Sequence, residues 1–356
     1  MLRALLPLCL LVTLAVPAWA DDAATDTTPP DFTAVVDPKG TLGVGSYADV
    51  LKRANEGDAV AMGILGDYYA YAGSKAADAA KAVQWYEKAA EAGSEYALVT
   101  LATRHLDGDG VAKDPKRALV LFERAADLGS ADGADGVGWI HQQGLGVPKD
   151  LEAARTWYGV AAARGSTLAM LKLGTMHANG DGVPQDLARA ATFFRQAAEA
   201  GNAEGAYRMS LAYADGMGVT ADPKAAATWL AKAAEGGHAE AALAYGMALM
   251  SGDGVAQDDA AAARMLQRVA GDSALAQNEL GVLFTEGRGV PKDAARGASL
   301  FTKAAAAGLD HGQYNLGVSY REHVGHKRPG APKNPMKLDE ALEKAAELEK
   351  QIRAAE

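Results

Sequence analysis

A turn of the form Gly-x-Gly-Val begins at Gly108, Gly144, Gly180, Gly216, Gly252 and Gly287, at intervals of 36, 36, 36, 36 and 35 residues. Three residues after each valine stands an aspartate: Asp114, Asp150, Asp186, Asp222, Asp258 and Asp293. An Ala-Ala-x-x-Gly ending recurs at Gly93, Gly129, Gly165, Gly201, Gly237 and Gly308; one residue is missing around Gly271, which accounts for the single interval of 35. A unit this short cannot bury its apolar face alone. Periodicity of this kind therefore constrains the chain to an array in which each unit packs on its neighbours.

Each unit reads as two helices. The first carries small residues at Ala61, Ala97, Gly133, Ala169, Gly205, Ala241, Ala276 and Gly312, and again five residues later at Gly66, Ala102, Gly138, Gly174, Ser210, Gly246, Gly281 and Gly317. A glycine inside a helix costs about 1 kcal/mol relative to alanine, so its recurrence requires close approach by a neighbouring group. The second helix supplies that group: Trp85, Leu121, Trp157, Phe193, Trp229, Met265 and Leu300, then one residue on Tyr86, Phe122, Tyr158, Phe194, Leu230, Leu266 and Phe301. The composition agrees, since 49% of residues are apolar but only 6% aromatic. Helices packed through Ala and Gly suit these figures better than a sandwich or barrel. The Gly-x-Gly turn ends the first helix, and the aspartate caps the second, with Pro115 and Pro223 at a first helical position.

The pattern small-x4-Gly-x2-Tyr-x2-Gly-x-Gly-Val-x2-Asp-x7-aromatic-x2-Ala-Ala-x2-Gly resembles the Sel-one-like repeat (SLR) family, a relative of the tetratricopeptide repeats. The resemblance covers residues 47–322 and implies an all-α fold: a right-handed α/α solenoid, or superhelix, of about seven 36-residue two-helix repeats. Units start near Gly57, Gly93, Gly129, Gly165, Gly201, Gly237 and Ser273, followed by a first-helix half-unit at 309–322. The first unit is an atypical cap, with Tyr71-Ala-Gly-Ser-Lys in place of the turn. After a loop at 323–335, residues 336–356 place Leu338, Leu342, Ala345, Ala346 and Leu348 on one stripe, as a C-terminal capping helix would.

Residues 1–20, MLRALLPLCLLVTLAVPAWA, have the basic start, apolar stretch and Ala-x-Ala site of a secretory signal peptide, with cleavage expected after Ala20. Residues 21–46, rich in Asp, Thr, Pro and Gly, read as a disordered linker. The expected location is periplasmic or secreted, with no integral membrane segment once the signal is removed. Cleavage also removes Cys9, the sole cysteine, and takes the net charge from −10 to −11. A disulfide framework, a cysteine zinc site and an iron–sulfur cluster are excluded, and nucleic acid is a poor partner for so acidic a chain.

Candidate chemistry is sparse. The glycine turns follow helices and lead to aspartate, so they do not make a dinucleotide cradle. Asp107-Gly-Asp109-Gly and Asn179-Gly-Asp181-Gly begin like calcium loops, but Val111 and Val183 fall where ligands are needed, as do Ala118 and Ala190. His105, His141 and His177 share one repeat position, where other units carry Tyr69, Tyr213, Leu249, Phe284 and Tyr320. Packing accounts for that set, and a role beyond packing stays open. His323 and His326 have no fixed third ligand. Neither catalytic residues, a cofactor nor a metal is expected, and the chain reads as a non-enzyme.

In the resemblance to tetratricopeptide domains, the concave face takes residues three before, and one and four after, the central small residue. Those positions are Val99 and Thr103; Asp135, Trp139 and Gln142; Leu171 and Thr175; Tyr207 and Leu211; Leu243, Met247 and Met250; and Tyr314, Val318 and Arg321. Trp139 stands out as an anchor, because the matching residues are mostly smaller or polar. The expected function is an exported scaffold or adaptor that binds a protein or peptide in assembly or regulation of an envelope complex. A cell-wall or glycan-acting envelope protein and a secreted effector are the alternatives. The sequence identifies neither the partner nor the oligomeric state.

Overall fold

The computed structural model describes residues 47–71 and 78–323, except the side chains of residue 71 and of 320–323. The expected signal peptide, the 21–46 linker, the atypical turn after Tyr71, the 324–335 part of the loop and the closing helix at 336–356 lie outside the described residues.

The described residues form sixteen helices and no strand. The first helices of the repeats are α2 (Ala59–Tyr71), α4 (Glu95–Asp107), α6 (Ala131–Gln143), α8 (Thr167–Asn179), α10 (Ala203–Asp215), α12 (Ala239–Ser251), α14 (Ala274–Glu286) and α16 (Asp310–His323). The second helices are α3 (Ala79–Glu91), α5 (Pro115–Asp127), α7 (Leu151–Ala163), α9 (Leu187–Glu199), α11 (Pro223–Glu235), α13 (Asp259–Val269) and α15 (Ala294–Ala306). A further helix, α1 (Tyr47–Asn55), precedes the first pair and buries Val50 and Ala54 against Ala61 and Leu65 of α2. The helices fall into two compact units, residues 47–173 and 174–323. Consecutive helices pack on one another from α1 to α7 and from α9 to α16, as expected of an all-α solenoid.

The central glycines receive the large side chains of the second helix. A Cβ at Gly138 would come within 2.7 Å of the Tyr158 ring, one at Gly174 within 2.5 Å of Phe194, and one at Gly281 within 2.6 Å of Phe301. Tyr86 and Tyr158 are fully buried in these slots. The residue before each ring is shallower: Trp85, Trp157 and Trp229 are half-buried, and Lys88 and Lys232 each lie 4.1 Å over the face of Trp85 or Trp229.

All six expected aspartates cap their second helices, and Asp78 does the same in the atypical first unit. Asp78, Asp114, Asp150, Asp186, Asp222, Asp258 and Asp293 each accept from one or two backbone N–H groups of the first turn. The two glycines of the turn have different duties. Gly108 ends α4 in the left-handed conformation, φ 79°, with its N–H on the carbonyl of Arg104. Gly110, also left-handed at 73°, lies against the preceding repeat, where a Cβ would collide with the Ala79 carbonyl at the start of α3. The turn therefore joins neighbouring units as well as the two helices of one unit.

These slots define a contrast that thermal or urea unfolding can measure. Gly281→Ala forces the Phe301 ring out of its slot and should cost about 1–3 kcal/mol. Gly159→Ala in α7, where an added Cβ meets nothing within 4 Å, should instead be neutral or stabilise by up to about 1 kcal/mol. Equal effects at the two positions would show that the slot is not what demands glycine.

Candidate partner-binding surface

In helix geometry, residues three before, one after and four after the central small residue lie on one face. Two residues of the first such row are spent on packing. Val99 is buried in the core beside Leu98 and Leu101. Asp135 is only 6% exposed, and Lys172 Nζ of the next first helix donates to its Oδ2 at 2.7 Å. Lys172 also lies 4.7 Å over the ring of Tyr158, whose hydroxyl donates to Gln142 Oε1 at 2.7 Å. Asp135, Gln142, Tyr158 and Lys172 thus form one polar group inside the first unit. In the second unit Asn315 Nδ2 donates to Asn278 Oδ1 at 2.8 Å, at the same two repeat positions as Lys172 and Asp135.

Burial drives the electrostatics of the Asp135–Lys172 pair. Loss of water pushes the Asp135 carboxyl up and the Lys172 ammonium down, and each partner's charge opposes the other's shift. Asp135 Oδ1 is buried without a hydrogen bond, so the pair is costly to assemble and costlier to break.

The other positions are more open. Trp139 is half-buried against the first-unit core, while Thr103 donates its hydroxyl to the Val99 carbonyl at 3.1 Å. Leu171 is half-buried and Thr175 exposed. In the second unit Tyr207, Leu211, Leu243 and Met250 are half-buried and Met247 is 39% exposed. Tyr207 packs on the His238 ring with centroids 4.3 Å apart. Tyr314 and Val318 are half-buried, and the Arg321 side chain is not among those described.

Several organising residues escaped the sequence reading. Asp67, at a matching position in α2, accepts from Tyr86 Oη at 2.7 Å and Tyr96 Oη at 2.6 Å, joining three helices through one carboxylate oxygen. The first helices also have caps: Asp58, Ser94, Ser130, Ser166, Asn202 and Ser273 each accept from the first turn. His238 does the same for α12, its Nδ1 accepting from Ala241 N while Nε2 donates to Glu204 Oε2 at 2.8 Å. The signal was present as Ser or Asn directly after four of the Ala-Ala-x-x-Gly endings. Of the three aligned histidines, His105 Nδ1 lies 3.3 Å from the Ala112 carbonyl, His141 is half-buried, and His177 is buried and stacked on Phe193 at 5.6 Å. Among the described residues, no group of three or more His, Asp or Glu side chains is arranged to hold a metal ion, and no helix is long and apolar enough to cross a membrane.

The family profile of the Sel1 repeat matches eight successive segments, at residues 59–94, 96–130, 131–166, 167–202, 203–238, 239–270, 274–309 and 310–337. The chain belongs to the Sel1 repeat family. Members are generally protein-interaction scaffolds without catalytic activity. The eighth match takes in the half-unit at 309–322 and runs on through the segment read as a loop. Among solved structures, an SLR-fold protective antigen, c5321, of uropathogenic Escherichia coli is 26% identical with a TM-score of 0.67; the similarity covers 85% of this chain. The chain spans 64% of that antigen's length. A Sel1 repeat protein of Oxalobacter formigenes is 29% identical with a TM-score of 0.56, covering 87% of this chain and 90% of that one. No curated protein matches the chain.

The Asp135–Lys172 pair gives a test by double-mutant cycle. Lys172→Met leaves a buried carboxylate unpaired and should cost about 3–5 kcal/mol, whereas Asp135→Leu with Lys172→Met should fall within about 1 kcal/mol of the natural protein. A double variant no better than the single one would mean that the pair itself, rather than its balance of charge, holds α6 to α8.

Proposed function

We propose that this Sel1 repeat protein is an exported, non-enzymatic adaptor that holds a protein or peptide partner against the faces of its first helices, in assembly or regulation of an envelope complex. One observation carries the reading. Capping, turn and slot positions repeat their chemistry from unit to unit, whereas the open positions of the first helices do not: Thr103, Trp139, Thr175, Leu211 and Met247 occupy one structural position. A scaffold that keeps its frame constant and varies one face places its specificity on that face. The signal-like residues 1–20 support export, and the acidic balance favours a protein partner over nucleic acid or an anionic membrane.

Photo-cross-linking from positions 139 and 247 of the protein in its own envelope, read by mass spectrometry, tests both parts. One or two reproducible partners should appear. Trp139→Ala should reduce capture by about tenfold or more, as loss of an interface anchor does, while stability falls by only about 1–2 kcal/mol for a half-buried side chain. Retention of the protein in the cytoplasm would remove the envelope role, and undiminished capture would remove Trp139 from the site.

A further inference from the structure

The second unit separates charge between its two helix layers. Helices α10, α12 and α14 carry five acidic residues, Glu204, Asp215, Glu240, Glu279 and Glu286, and one basic residue, Arg208. That base is already engaged, its Nε donating to Glu204 Oε1 at 2.6 Å. Helices α9, α11, α13 and α15 carry eight basic and three acidic residues. With their capping aspartates Asp186, Asp222, Asp258 and Asp293 the second helices are close to neutral, so the excess of acid lies on the layer of first helices.

The acids also have an order. On α10, Glu204, Tyr207, Leu211 and Asp215 follow one another at spacings of three and four, so they share one face. Helix α12 repeats the start of this series with Glu240, Leu243 and Met247, and α14 supplies Val282 and then Glu286. The three helices lie side by side. Tyr207 and Glu204 touch His238 at the start of α12, and Arg288, just past α14, donates to the Met250 carbonyl of α12 at 3.2 Å. The result is an apolar strip crossing three helices, with Glu204 and Glu240 along one border and Asp215 and Glu286 along the other. Eleven residues of helix separate the borders on α10, roughly 16 Å at the α-helical rise, which admits one further helix about 10–12 Å across.

Asp215 and Glu286 are the last residues of their helices. A negative charge there opposes the helix dipole, which favours cations at that end. Glu286 has Arg288 at 3.4 Å, and Asp215 has no ion-pair partner among the described residues. The Asp215–Glu286 border is thus better suited to receiving positive charge than to stabilising its own helices, whereas Glu204 and Glu240 sit in first turns that favour acids, and Glu204 is already bonded to Arg208 and His238.

We infer that this face of the second unit binds a cationic amphipathic segment of a partner protein, its apolar side chains on the Tyr207–Leu211–Leu243–Met247 strip and its Lys or Arg side chains on the Asp215–Glu286 border. The inference rests on the adaptor reading above and specifies the chemistry of the partner.

The test uses the full mature chain and three labelled peptides of roughly 14 residues, enough helix to span two interhelical spacings. One is an amphipathic Leu/Lys peptide, the second has Glu for Lys, and the third has Ser for Leu. Fluorescence anisotropy should show the Leu/Lys peptide binding at least about tenfold tighter than either control, with affinity falling as salt is raised. Asp215→Lys with Glu286→Lys should weaken it about tenfold, Met247→Ser should weaken it several-fold, and Glu235→Lys on the opposite layer should change it less than about twofold. Circular dichroism confirms that each variant remains folded. Equal binding of the Leu/Lys and Ser/Lys peptides, or indifference to the face variants, would overturn the inference. If the Leu/Glu peptide binds through Met247, the partner chemistry is wrong and the adaptor reading stands. If no peptide binds while cross-linking at positions 139 and 247 still captures a partner, this inference alone fails. Failure of both experiments removes both.

Discussion

The interlock between a small residue in one helix, glycine in most repeats, and a large side chain in the next sets most of the geometry of each repeat. Tyr158 and Phe301 fill slots that no side chain larger than hydrogen would leave open, at Gly138 and Gly281. This contact fixes the distance between the two helices of a repeat, and so which residues beside it are buried. The shallower Trp85, Trp157 and Trp229 then take the outer half of the same helices, where lysines cover two of their rings. Close packing through small residues also explains how a chain so poor in aromatic residues builds a core.

Much of this frame was legible because its determinants are local and recur. Aspartate after a glycine turn is a capping signal wherever it stands, and all six occurrences cap. The recurring small residue opposite a recurring large one specified which faces meet. The caps of the first helices were equally local and could have been read from Ser94, Ser130 and Ser166. His238 could not, since imidazole is an unusual cap and depends on Glu204, 34 residues earlier, to fix which ring nitrogen carries the proton.

The candidate surface was legible in outline only. A face can be assigned from helical spacing, but whether a residue on it is open depends on how far one first helix is offset along the next. Asp135 and Lys172 meet at a separation of 37 residues, as do Asn278 and Asn315. That is one more than the repeat length, so residues at identical repeat positions are not the ones that touch. Alignment by period therefore places Asp135 beside Val99, Leu171 and Tyr207 as an equivalent, while the structure commits its carboxylate to a lysine. The polarity of the two helix layers was open to counting in the sequence, but only the structure shows that Arg208, the single base of three helices, is spent on its neighbour Glu204.

Helix α13 has 11 residues where the other second helices have 13, and Gly271 lacks the positive φ found at Gly237 and Gly308. The residue missing from the period was thus lost at the exit of a second helix, the one place where the following first helix can restart on a new Ser273 cap without changing the face it presents. The frame survived the deletion, at the expense of helical hydrogen bonds and of the left-handed exit. In an array held by nearest-neighbour contacts, the weakest boundary sets where the chain opens first. The join between α13 and α14 is therefore the seam of the second unit, where amide exchange and proteases would first gain access while the helices on either side stay folded.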